Sequence, residues 1–189
     1  MKMKKYELTE TTKNCYGSTL CQIKALMDFS NIKKGDLGGW IEKEKNLSQE
    51  NNCWVYGDAK VYGNAEVFGD AWVFGNAWVF GDAKVSGNAR VFGDAKVYGN
   101  AWVYGNTWVS GDARVYGNAR VYGNAEVFGT AEVFGNARVF SDTKVYDNAE
   151  VFGNARVYGN AEVYGNAEVY GDAKVYGDAK VFSDTQLKK

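Results

Sequence analysis

From Val55 to residue 186 the chain spells one six-letter word twenty-two times with no residue inserted or dropped: valine, an aromatic, glycine, asparagine or aspartate, alanine, and a free sixth letter. Departures are few. Ser86 and Ser110 replace the aromatic, Ser141, Asp147 and Ser183 the glycine, Thr130 the asparagine or aspartate, and Thr107, Thr143 and Thr185 the alanine. A period of six rules out one amphipathic helix, because at about 3.6 residues per turn the valines would spread around the cylinder. In extended backbone, alanine and the following valine point to one side and the residue between them to the other. Glycine followed by asparagine or aspartate is turn chemistry, since both tolerate a left-handed backbone. Each hexad is therefore a short strand and a corner.

A strand this short cannot bury a face alone, but a chain that turns at every corner can coil and stack each strand on its equivalent one coil away. Three hexads per coil make 18 residues and a triangular section, although the arithmetic alone permits another polygon. The expected interior is valine and alanine, and the aromatics beside the corners would stack into ladders up the edges.

The Val-x-x-x-Ala-x phase resembles the hexapeptide repeat of left-handed parallel β-helices. Ahead of it, Gly38, Gly39 and Trp40, then Asn46, Leu47, Ser48 and Gln49, then Cys53 and Trp54 are similar to the lead-in of uncharacterised bacterial and phage repeat proteins of the YdcK-like kind. The resemblance implies an all-β fold: a single-stranded left-handed parallel β-helix, a triangular solenoid of about seven 18-residue coils. Residues 1–54 lack the period and are expected to form a β-rich N-terminal cap, with residues 55–189 as the solenoid. Within the cap, "KYEL" and "CQIKALMDF" read as strands and "KKGDLGGW" as a turn. At the far end, Leu187 covers little, and Lys188 and Lys189 supply charge that opposes end-to-end pairing.

Composition narrows function. The net charge of −1 creates no global field for nucleic acid or an acidic membrane. No apolar run nears the roughly 20 residues that cross a bilayer, and "MKMKKYELTETT" has no apolar region of a secretory signal after its basic residues. The cytoplasm is the expected compartment, with Cys15, Cys21 and Cys53 as reduced thiols. Acyltransferases built on hexapeptide repeats use a histidine base, and carbonic anhydrases of that architecture bind zinc through histidines. This chain has no histidine and no interrupted hexad. Phosphate-cradling and nucleophile-elbow motifs are absent as well. The expectation is a protein with no catalytic residues, cofactor or metal.

Only the sixth letter is free, so partner information belongs there. Sorted by 18, face A carries Lys60, Trp78, Lys96, Arg114, Glu132, Glu150, Glu168 and Gln186. Face B carries Glu66, Lys84, Trp102, Arg120, Arg138, Arg156 and Lys174, and face C carries Trp54, Trp72, Arg90, Trp108, Glu126, Lys144, Glu162 and Lys180. Face C ends in alternating signs that can pair within the chain. Faces A and B stack like charges about 5 Å apart, which is unfavourable even in water. Laid against face B of a parallel copy, face A makes four opposite-charge pairs, two cation–π contacts and one clash, the best match of the three pairings. Unlike faces close into a ring on a triangular rod, so a parallel homotrimer is the expected assembly. The same runs would also arise from late duplication of "VYGNAE" and "VYGNAR" on a merely solvated surface. Trp72, Trp78, Trp102 and Trp108 form a second candidate surface, suited to another protein, as in a phage or bacterial module that occludes a host-defence target.

Overall fold

The computed structural model describes residues 3–188 and is all-β apart from one 3-10 turn, Glu44–Asn46. Two long antiparallel strands, β1 (Tyr6–Cys15) and β2 (Ser18–Ala25), open the chain. β3 (Leu37–Ile41) pairs antiparallel with β2 and parallel with the rung Lys60–Val61, so it hands the hairpin over to the solenoid. The repeats then form rungs of two or three residues, stacked in parallel into three sheets of eight, eight and seven rungs, and β1, β2 and β3 extend one of them to eleven strands. Partners lie 18 residues apart, as in Arg90 with Trp108 and Val91 with Val109. The result is a β-solenoid of about eight turns.

In the middle of the rod a hexad donates three backbone hydrogen bonds to the next coil, for example from Trp72 N to Ala89 O, Phe74 N to Val91 O and Asn76 N to Gly93 O at 2.8–3.0 Å. The inward positions are closed to solvent along the rod, with Val61 through Val169 at no more than 1% exposure. Thr107 and Thr143 sit inward too. Their hydroxyls donate to the carbonyls of Tyr104 and Phe140, so a threonine replaces alanine without leaving a buried polar atom unpaired.

The corners explain the glycines. Gly87 has φ +67°, and a Cβ there would meet the amide nitrogen of Gly105 at 2.8 Å. Ser141, Asp147 and Ser183 hold the same left-handed backbone at φ +66°, +58° and +58°. Beside them run amide ladders in which Asn Nδ2 donates to the Oδ1 one coil on, as from Asn118 to Asn136 and from Asn136 to Asn154. Aspartate accepts but cannot donate. It therefore ends a run, as at Asp172, Asp178 and Asp184 on the last coil. Aromatic rings stack along the same edges, and the longest ladder runs unbroken from Tyr62 through Phe80, Tyr98, Tyr116, Phe134 and Phe152 to Tyr170 at 4.8–5.2 Å.

Two sequence expectations change. "KKGDLGGW" contains strand β3, not only a turn, because its glycines serve close packing. A Cβ on Gly38 would lie 2.5 Å from Ile23 Cγ1, and one on Gly39 would lie 2.7 Å from Val55 Cγ1. Parallel stacking also reaches back to Trp40–Ile41 and, through a bridge from Leu47 to Val67, covers the segment before Cys53. Ile41 and Leu47, at 0% and 1% exposure, extend the inward valine column toward the N-terminus. Of the terminal lysines, Lys188 Nζ lies 5.9 Å from the Tyr170 ring centroid, and Lys189 lies outside the described residues.

Lys5 locks the hairpin to the first coil. Its residue is 3% exposed, and its ammonium donates to the carbonyls of Glu50, Asn51 and Cys53 at 3.3, 3.2 and 2.9 Å and to Cys53 Sγ at 3.3 Å. Burial lowers the Lys5 pKa and raises that of the Cys53 thiol, each against the opposing pull of its partner. Tyr6 and Phe29 close edge-on over Trp54, which is wholly buried. Trp54 thus belongs to the core and not to face C.

Candidate functional site

The free sixth letters form three outward columns, one per sheet. On face A, Lys60 and Lys96 lie at 4.9 and 5.5 Å from the Trp78 ring, which also meets Tyr16 and Tyr62 edge-on. The cap therefore shares Trp78 with face A. Burial and the neighbouring ionisable groups push Tyr62 up to about 12. Higher up, Glu132 accepts from Arg114 at 3.1 Å and from the Tyr116 hydroxyl at 2.8 Å. Glu150 pairs in register with Glu132 below and Glu168 above. Its carboxyl is raised above the ordinary glutamate value, first by burial and then by those two carboxylates.

On face B, Glu66 binds Lys45 at 3.1 Å and approaches Lys84 at 3.9 Å. Trp102, 37% exposed, leans over the missing ring at Ser86, its indole nitrogen 3.4 Å from the serine hydroxyl. Above it, Arg120, Arg138, Arg156 and Lys174 stack in register. Among the described residues none of these four cations has an ion-pair partner, and neither does Glu150 or Glu168. Face C instead satisfies itself. Lys144 pairs with Glu126 at 3.8 Å and Lys180 with Glu162 at 3.4 Å, while the Arg90 guanidinium lies between Trp72 and Trp108 at 5.9 and 5.5 Å. Trp108 is 44% exposed and Trp72 half-buried.

Sorting by 18 misses the diagonal neighbour. A sixth-position side chain leans toward the aromatic 16 residues earlier, as Glu132 does to Tyr116, Glu162 to Tyr146, Trp78 to Tyr62 and Trp108 to Phe92. The signal was in the sequence as a tyrosine followed 16 positions later by glutamate. Among the described residues, no group of three or more His, Cys, Asp or Glu side chains is placed to hold a metal, and no helix is long and apolar enough to cross a membrane.

Residues 95–111 and 113–129 match the family model of the YdcK β-solenoid repeat. Over those residues the rod is similar to the YdcK β-solenoid repeat. A relative from Escherichia coli (strain K12), "Uncharacterized acetyltransferase YdcK", is 42% identical over 65 residues, 29% of this chain and 19% of the relative. The alignment thus spans less than a fifth of that relative's length. Its name overturns the expectation of a chain without enzymatic function. The missing histidine and the uninterrupted coil remain facts, but they do not carry the inference once a relative of the same YdcK-like kind is named for acetyl transfer.

Proposed function

We propose that the YdcK-like solenoid is a rigid assembly module that joins copies of itself by unlike faces, face A of one chain lying along face B of a parallel neighbour in a cytoplasmic homotrimer. The observation that supports it is the set of in-register like charges without ion-pair partners among the described residues, Glu150 and Glu168 on face A and Arg138, Arg156 and Lys174 on face B. Packed at equal height, Glu150 meets Arg156 and Glu168 meets Lys174. Glu132, already held by Arg114 and Tyr116, reinforces the pairing less. Lys60, Trp78, Lys96, Glu66, Lys84 and Trp102 would form the N-terminal half of the contact. Exposed pairs contribute only about 0–1 kcal/mol each, so the tryptophans must supply much of the interface.

Light scattering is expected to give three times the 20.9 kDa chain mass. Changing Glu150→Lys with Glu168→Lys should return it to one. A native monomer would end the proposal. The exposure of Trp102 and Trp108 favours a different reading, a module that occludes a macromolecular target. Loss of a bound protein from the Trp102→Ala, Trp108→Ala variant, with its mass unchanged, would select that reading.

The relative's name brings acyl transfer as a further reading. It predicts thiol release from acetyl-coenzyme A by the purified chain in the presence of amine or hydroxyl acceptors. Turnover no faster than with the heat-unfolded chain would leave it without support here.

A further inference from the structure

Each aromatic ladder should begin with a ring stacked on the next. Tyr62 does so on Phe80 at 5.2 Å and 4°. At the neighbouring edge Tyr56 does not cover Phe74. Its ring instead leans on Trp72 at 5.3 Å and 54°, and its hydroxyl donates to Asn31 Oδ1 of the cap at 3.1 Å. Phe74 stacks on Phe92 at 4.8 Å on its other side. Its near face is thus a ring-shaped platform missing one rung, and a cavity of about 440 Å³ opens there, lined by Asn31, Tyr56, Trp72, Phe74, Gly75 and Arg90.

Two donors line that cavity without partners. The Asn31 oxygen is used by Tyr56, and its amide nitrogen has no acceptor among the described residues. The Arg90 guanidinium has neither a carboxylate nor a carbonyl partner there, and its stacking between Trp72 and Trp108 leaves its edge N–H groups free. Flat aromatic walls with a planar two-pronged donor suit a ring that ends in a carboxylate.

We propose that this junction of cap and solenoid binds a small planar aromatic carboxylate, the ring occupying the vacant rung over Phe74 beside Trp72 and the carboxylate meeting Arg90 and the Asn31 amide. The site lies within one chain, so it stands or falls independently of the homotrimer and of acyl transfer.

Full-length protein would be titrated with 2-naphthoate, benzoate, cyclohexanecarboxylate and uncharged 2-naphthalenemethanol, using calorimetry and saturation-transfer NMR. The two aromatic acids should bind saturably, 2-naphthoate the tighter, and the other two at least about tenfold more weakly. Arg90→Gln should weaken 2-naphthoate about tenfold or more, since the sixth letter is free to vary and the fold is not perturbed. Phe74→Ser should do likewise, because Ser86 and Ser110 show that the ladder accepts serine. Lys144→Gln, on the same face but paired with Glu126, should change nothing. Absence of saturable 2-naphthoate binding at millimolar concentration would overturn the proposal. So would unchanged affinity in Arg90→Gln, or equal binding of benzoate and cyclohexanecarboxylate. If Phe74→Ser fails to fold, Arg90→Gln still decides.

Discussion

Replacing Gly38 with alanine is expected to undock the N-terminal hairpin while leaving the coils beyond about residue 100 in place. The added Cβ would sit 2.5 Å from Ile23 Cγ1, 2.7 Å from Trp54 Cζ2 and 2.7 Å from the Val55 carbonyl oxygen. Ile23 and Trp54 are wholly buried and Val55 O is backbone of the first coil, so no flexible chain end can yield. Overpacking of this kind costs about 1–3 kcal/mol, more where backbone must move. In a stacked-repeat protein each unit contacts only its neighbours, so the loss stays local. Hydrogen exchange by mass spectrometry should show protection falling over residues 6–55 and unchanged over 100–170. A uniform drop, or none, would show that β3 is not the element holding the hairpin down.

The solenoid was legible because period six permits few backbones. Counting left the polygon open; with three hexads per coil, as the resemblance to the hexapeptide-repeat β-helix implies, the register by 18 placed Arg138 against Arg156 and Glu132 against Glu150 as the structure does. What was hidden is what the repeat does not repeat. Gly38 and Gly39 look like turn formers, and only the position of Ile23 and Val55 shows them to be contact points between layers. Trp54 has the phase of an outward residue, yet lies under Tyr6 and Phe29, since the sixth letter faces outward only where nothing covers it. Beside Phe74, Tyr56 leans on Trp72 and bonds Asn31, a residue outside the period. Periodicity thus reports the rod, whereas the cavity walled by Tyr56, Trp72 and Phe74 lies where the aperiodic segment meets it.

Lys5→Met should have an effect of similar size at the same junction and a pH dependence that Gly38→Ala lacks. The substitution keeps an aliphatic stem but strips hydrogen-bond donors from the carbonyls of Glu50, Asn51 and Cys53, a loss on the order of 2–4 kcal/mol for the docked hairpin. In the native chain two buried groups oppose one another. The folded Lys5 pKa lies below its unfolded value near 10.4, so the unfolded chain holds the extra proton between the two and docking strengthens as pH rises through that window. The folded Cys53 pKa lies above its unfolded value near 8.5, so docking weakens as pH rises past that value toward the folded one. Urea midpoints for the hairpin, followed by 19F NMR of 5-fluorotryptophan at Trp54, should therefore change less with pH in the native chain than in either single variant between about pH 8.5 and 9.5, below the range in which the buried Tyr6, its own pKa raised by burial, adds a further fall. Lys5→Met should leave only the fall. Cys53→Ala, which restores the alanine of the repeat, should leave only the rise. Parallel slopes in all three proteins would mean that the buried amine and thiol do not govern how the hairpin is held.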